Sequence, residues 1–200
     1  MEKPAKTLHN INSLIAQRWS PRAFDLTKQI SREIILTICE AAQWSPSSAG
    51  EEPWRFIIYD YYHNKESWET VQNLMDPYNK IWTVNAPVMI SVCAALNWRK
   101  DPSKPNNHAE YDTGSSTMAI YLQALEYGIY CHPMAGFDSN QLKSSFNIPD
   151  DVKPISIIAM GYPGELNVLD EFNQKREVAE RKRRPLESMF FDSAWGNPIK

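Results

Sequence analysis

The sequence predicts an α+β protein, with helices and strands interleaved around one sheet in two or three layers. Three observations carry this. APVMISVCAAL from Ala86 and PISIIAMGYPG from Pro154 are nearly continuous apolar runs, as expected of buried strands. Between them TGSSTMAIYLQALEY, from about Thr113 to Tyr127, is small and aliphatic around much of its circumference and stops at Gly128, which reads as a buried central helix with a C′ glycine.

The other elements follow in order. Ile11, Leu14 and Ile15 have helical spacing and predict a short helix ending before Pro21. Ser31 is a natural N-cap for a helix carrying Ile34, Ile35, Ile38, Ala41 and Ala42, stopping near Trp44. Trp54 to Tyr59 is aromatic and β-branched, hence a strand. Residues 64–82 read as helical with an interruption at Pro77. Arg99 to Asp112 is a polar loop, Ile129 to Asp138 a short strand and turn, and Asp138 onward a short surface helix. From Glu165 the chain is polar and is expected to be mostly irregular.

Two hundred residues, 42% hydrophobic and 22% charged, fit one globular domain over 1–200. A net charge of -3 provides no basic field, so neither nucleic acid nor an anionic membrane is an expected partner. The opening MEKPAKTLHNINSL lacks the apolar core of a secretory signal and no run is apolar enough to cross a bilayer, so a cytoplasmic protein is expected. Cys39, Cys93 and Cys131 are too dispersed for a disulfide framework or a metal motif and read as packing residues. His9, His63 and His108 show no ligand spacing for a metal.

Four segments could carry chemistry. In RWSPRAFD the proline favours extended backbone before it, so Arg18, Ser20 and Arg22 share a face while Trp19 and Pro21 pack behind it. That face is either a set of solvated surface charges or an anion clamp, since guanidinium groups offer planar forks of donors. WSPSSAGEEPWRF, from Trp44, leaves several backbone N–H groups free to meet a ligand. HPMAGFD, from His132, ends a strand with Pro133 and Gly136, which permits close backbone approach. AERKRRPLESMFF is a solvated face, a localisation or nucleic-acid patch, or a second set of phosphate-binding arginines.

Together these segments resemble the nitroreductase family of FMN-dependent oxidoreductases. The resemblance covers almost the whole chain, and rests on RWSPRAF, AAQWSPSSAGEEPWRF, APVMISV, EYGIYCHPMAGFD, MGYPGE and RKRRPLE in that order. It implies a three-layer fold with a central, mostly antiparallel sheet flanked by helices. It also implies a homodimer whose two FMN molecules lie at the subunit interface, each touched by both chains.

Arg18, Ser20 and Arg22 would then contact the phosphate, ribityl chain and pyrimidine end of the flavin, with Trp19 in the same wall. Pro46, Ser47 and Ser48 would come from the other subunit, with Gly50 in the same turn. Pro133, Met134, Ala135 and Gly136 would lie along the isoalloxazine, and Arg181 and Arg183 at the phosphate. Asn79 and Asp112 fall near flavin-lining positions of some relatives. Arg18, Arg181 and Arg183 suit a phosphate dianion, and Arg22 would stabilise the reduced ring.

The implied reaction takes hydride from NADH or NADPH and passes electrons to a nitroaromatic, a quinone or a similar small planar acceptor by a ping-pong sequence. It requires no protein acid or base. His132 reads as a packed, hydrogen-bonded residue. Many relatives have Asn and Gln where this chain has Gly50 and Glu52, and Glu where it has Ala135. The alternative is therefore a flavin-binding member with specialised chemistry, dehalogenating or flavin-modifying, or with no turnover.

Overall fold

The computed structural model describes residues 2–199. Helix α1 (Ser13–Gln17) leads into the arginine segment, and its N-cap Asn12 accepts the Leu14 amide. Helix α2 (Arg32–Gln43) begins at the expected cap, the Ser31 hydroxyl accepting the Ile34 amide. Strand β1 (Trp54–Asp60), helix α3 (Lys65–Asn73) and helix α4 (Pro77–Thr83) follow. The interruption at Pro77 is a helix start. Proline occupies the first turn, where its missing N–H costs nothing, behind Asp76 as N-cap.

Strand β2 (Val88–Ala95), helix α5 (Ala109–Glu126), strand β3 (Tyr130–Met134), helix α6 (Ser139–Ser145), strand β4 (Val152–Gly161) and helix α7 (Glu171–Val178) complete the order. The four strands form one sheet in the order β1-β2-β4-β3, and every pair is antiparallel. Prolines sit where the ladder tolerates them: Pro133 on the edge strand β3, and Pro154 beside the register shift in β4 opposite Val92 and Cys93.

Period-two alternation along the central strands sorts the core into two halves. Met89, Cys93, Ile157 and Ala159 join Trp68, Val71, Leu74, Trp82 and Leu142 on one face. Val88, Ile90, Val92, Ile158 and Met160 join Ile35, Ile38, Ile120, Tyr121 and Ala124 on the other. The result is three layers: α2 and α5, the sheet, then α3, α4 and α6. Each fully buried isoleucine contributes about 1.5–3 kcal/mol by transfer. Burial also pushes the Cys93 thiol up to about 11 and raises the Cys131 thiol, as expected of packing cysteines.

One expectation needs correction and another needs an addition. The polar loop does not run to Asp112, because α5 starts at Ala109. Glu110 and Asp112 lie in its first turn, where carboxylates favour the positive end of the helix. The segment after Glu165 is mostly irregular, as expected, but it also contains the unanticipated helix α7. Asp170 caps that helix by accepting the Asn173 amide at 2.8 Å, and the inward-facing residues are the polar pair Asn173 and Glu177.

The turn after β3 is welded to the α3–α4 junction. The Asp76 amide donates to Gly136 O at 3.0 Å and the Asp138 amide to Leu74 O at 2.9 Å. A Cβ on Gly136 would lie 1.7 Å from Asp76 Oδ2, so glycine is needed here for close approach. Gly136→Ala is expected to cost about 1–3 kcal/mol in urea unfolding. In an Asp76→Ala background the same change should cost clearly less, since the two residues are in direct conflict.

Candidate functional site

The segment from Arg18 to Asp25 runs past the ends of β3 and β4 and is tied to both. Asp25 N donates to Tyr162 O at 3.0 Å, Gly164 N donates to Ala23 O at 2.9 Å, and Phe24 bridges Pro163. A Cβ on Gly164 would meet Phe24 O at 2.3 Å, so the segment can approach only because that residue is glycine. Burial alternates as expected. Trp19, Pro21 and Ala23 are buried, whereas Arg18, Ser20 and Arg22 are partly exposed.

Arg18, Trp19, Ser20, Arg22, Arg181 and Arg183 line one cavity of about 280 Å³, together with Lys3, Arg176 and Lys182. Arg18 Nη1 donates to Ser20 Oγ at 3.2 Å. Its guanidinium is pushed below the ordinary arginine range by burial and then by the charge of Arg183. Arg181 is shifted the same way by burial, Arg18 and Arg183. Among the described residues none of these arginines forms an ion pair. The carboxylate at the rim, Glu180, is engaged with Lys6.

Arg181 is also a clasp. Its Nη1 donates to Lys3 O at 2.6 Å and Ala16 O at 2.7 Å, and its Nη2 to Arg18 O at 2.8 Å. Nε and one Nη2 hydrogen are left for a ligand. Arg183 is exposed and donates to the neighbouring Lys182 carbonyl. Arg22 Nε is buried with no partner, and its guanidinium lies 5.9 Å from the Trp82 ring centre.

Sequence reasoning missed Glu177. Its side chain is buried, and its carboxylate accepts the Arg22 amide at 3.0 Å on both oxygens and the Ala23 amide at 3.1 Å. Those bonds set the path of the arginine segment. The available signal was the Asp170 cap with Glu177 seven residues later, two helical turns on.

His132 packs tilted against Trp82 at 4.6 Å, and its Nδ1 bonds Pro21 O at 2.8 Å, which places the proton on Nδ1. Burial holds its pKa down to about 4, helped by the charges of Arg22, Arg176 and Arg18 against the opposing Pro21 bond.

The remaining expected residues fall into two further groups. Asn79 Nδ2 donates to Asp76 Oδ2 at 3.3 Å and to Gly136 O at 3.4 Å. Ala135 and Gly136 line a cavity of about 540 Å³ with Asp76 and Gln141. Pro133 is exposed, but Met134 points into the core and could offer a ligand only its backbone. Pro46, Ser47, Ser48, Gly50 and Asp112 form the last group and do not line the arginine cavity. Asp112 Oδ2 accepts the Ser48 amide at 2.9 Å, and Ser47 Oγ accepts the Glu52 amide at 3.0 Å. Ala49, Gly50 and Glu52 are all left-handed, with φ of 52°, 66° and 48°. Gly and Asn are the residues that adopt this conformation most readily, so Gly50 can replace Asn without altering the turn.

The class is a three-layer antiparallel α+β fold with arginines converging at one sheet end, none of them ion-paired among the described residues. More narrowly, the chain belongs to the nitroreductase family, whose model matches residues 15–162. A solved FMN-containing oxidoreductase superposes with a TM-score of 0.89 at 29% identity, covering 96% of each chain. An uncharacterised 15.4 kDa protein of Mycolicibacterium smegmatis is 31% identical over 67% of this chain and 88% of its own. A Methanothermobacter thermautotrophicus protein provisionally designated NADH dehydrogenase/NAD(P)H nitroreductase is 30% identical over 69% of this chain and 70% of its own.

Two outcomes follow from the geometry. Glu177→Ala leaves the Arg22 and Ala23 amides unpaired, and should lower unfolding free energy by about 2–4 kcal/mol; Glu177→Gln, which keeps an acceptor, should lose less. His132 titrates near 6.5 when unfolded but near 4 when folded, so between those values the unfolded chain binds the extra proton. Stability should therefore fall as pH drops through that window, by about 2–3 kcal/mol from this group. His132→Gln should flatten the wild-type slope measured by urea melts from pH 7 to 4.

Proposed function

We propose that the protein is an FMN-dependent oxidoreductase that takes reducing equivalents from NADH or NADPH and delivers them to a nitroaromatic, a quinone or a similar small planar acceptor. The carrying observation is the cavity lined by Arg18, Arg22, Arg181 and Arg183, none of them ion-paired among the described residues. A site of this charge is suited to a phosphate dianion. Arg18, the free hydrogens of Arg181 and Arg183 would hold that phosphate, and the unpartnered buried Nε of Arg22 would meet a ring acceptor.

Bound FMN would supply the two-electron chemistry. The protein's part is to bind, orient and exclude water. Glu177 fixes the arginine segment. The turn at Ala49 to Glu52 is held by its own bonds, with the Gly50, Glu51 and Glu52 amides donating to Ser47 and Ser48. No side chain is required to move a proton, and His132, neutral at pH 7 and bonded to Pro21, acts as a support. With one site used in turn by nicotinamide and acceptor, ping-pong kinetics are the expected pattern.

A homodimer is part of this reading. The arginine cavity, about 280 Å³, lies below the usual range of roughly 300–1,000 Å³ for a complete ligand pocket. The Pro46–Ser48 turn lies outside it, so a second copy would supply the opposite wall. Exposed Ile15, Leu36, Trp44, Tyr111 and Met118 on α1, α2 and α5 support such pairing. No helix among the described residues is long and apolar enough to cross a membrane.

The purified protein is expected to be yellow, with about one FMN per chain, and to bleach anaerobically with NADH or NADPH. A colourless protein whose melting temperature is unmoved by FMN would overturn the proposal. Arg18→Ala and Arg183→Ala should each weaken FMN binding about 10–100-fold yet barely affect riboflavin, which has no phosphate. Unchanged FMN affinity in both variants would sink the phosphate assignment.

A further inference from the structure

Arg176 lies in the last turn of α7, between the MGYPGE and RKRRPLE segments, and lines the same cavity as Arg18 and Arg22. A cation in a last helical turn is favoured by the helix dipole, which accounts for its charge but not for where it points. Its guanidinium lies 5.4 Å from the Tyr78 ring centre and 5.6 Å from that of Phe172. Those two rings meet edge to face at 5.9 Å, and Tyr78 Oη donates to Asn173 Oδ1 at 3.1 Å. The exposed arginine is thus held by two aromatic groups, one of them anchored by a hydrogen bond. Among the described residues it has no carboxylate partner.

Helix α4 places this arginine beside Arg22. Tyr78 carries Arg176, while Trp82, four residues on, carries Arg22. Residues at that spacing share one helix face, so adjacent aromatic rings deliver both guanidinium groups to one end of the cavity. His132, tilted against Trp82, feels both charges and that of Arg18. Arg18, Arg181 and Arg183 line the same cavity, and their charges act on one another.

We propose that Arg176 is a second cation beside Arg22 at the redox end of the cavity, favouring reduced over oxidised FMN. This rests on the reading of the cavity as an FMN site with Arg22 at the pyrimidine end. Two electrons and one proton taken up by oxidised FMN leave it one unit more negative. A nearby unpaired cation therefore binds the reduced form more tightly and raises the potential. The electrons come from the nicotinamide or, in the test, from a reducing dye.

The test uses the full-length protein loaded with FMN, in wild-type, Arg176→Gln and Arg176→Lys forms. Oxidised FMN affinity is measured by fluorescence titration, and the potential by anaerobic equilibration with a reference dye. Arg176→Gln should leave oxidised FMN affinity within about threefold. It should weaken reduced FMN about tenfold, equivalent to about 30 mV for a two-electron couple, with most of the potential restored by Arg176→Lys. An unchanged potential in Arg176→Gln overturns the proposal. So does an equal loss for both redox states, which would put Arg176 at the phosphate. Either result leaves the FMN reading standing, whereas wild-type protein that binds no FMN overturns both.

Discussion

Glu177 gives its charge to the main chain. Burying a carboxylate costs several kcal/mol unless hydrogen bonds replace its water, and here the Arg22 and Ala23 amides replace it. Because those amides satisfy the carboxylate, it forms no ion pair with the guanidinium groups around it. The arginine segment is therefore held in place without tying up its side chains. The same economy extends to the termini. Lys3 donates to the carbonyls of Glu177 and Ala179, and Arg181 to those of Lys3, Ala16 and Arg18. The N-terminal, arginine and C-terminal segments are locked together by cations bonded to neutral carbonyls.

Arginines gathered in this way repel one another, and burial followed by that repulsion shifts Arg18 and Arg181 downward. Such a cluster opposes folding on its own and is relieved by an anion. A ligand that binds only the folded state stabilises it in proportion to the logarithm of its concentration over Kd. On the proposed function, binding and folding are coupled through the same residues, since the proposed phosphate site and the clasp between the N- and C-terminal segments share Arg181.

The sequence disclosed most where local chemistry and burial agree. Helix α2 was legible to the residue because Ser31 caps it and Ile35, Ile38 and Ala42 recur on its buried face. The strands were legible because both faces of β2 are buried, which forces an unbroken apolar run. Helix α7 was not legible, since the side it buries carries Asn173 and Glu177 and so lacks hydrophobic periodicity. The start of α5 was hidden for a related reason: its first turn is polar, and Asp112 turns its carboxylate to the Ser48 amide. In the site, the alternation of Arg18, Ser20 and Arg22 could be read from spacing. The clasp role of Arg181 could not, because its acceptors are backbone carbonyls drawn from residues 3, 16 and 18.

His132 shows how the site limits its own chemistry. A histidine beside the arginine cavity is the obvious group to move a proton, yet its Nδ1 is committed to the Pro21 carbonyl and its ring packs tilted against Trp82. Protonation would set a further cation among Arg22, Arg176 and Arg18, which is part of what holds its pKa near 4. At neutral pH the imidazole is therefore a fixed donor supporting the proline between Ser20 and Arg22. The same electrostatics that exclude it as an acid keep the arginines' positive field undiluted and the path of their backbone constant, so any charge that develops in the cavity is met by groups already in position.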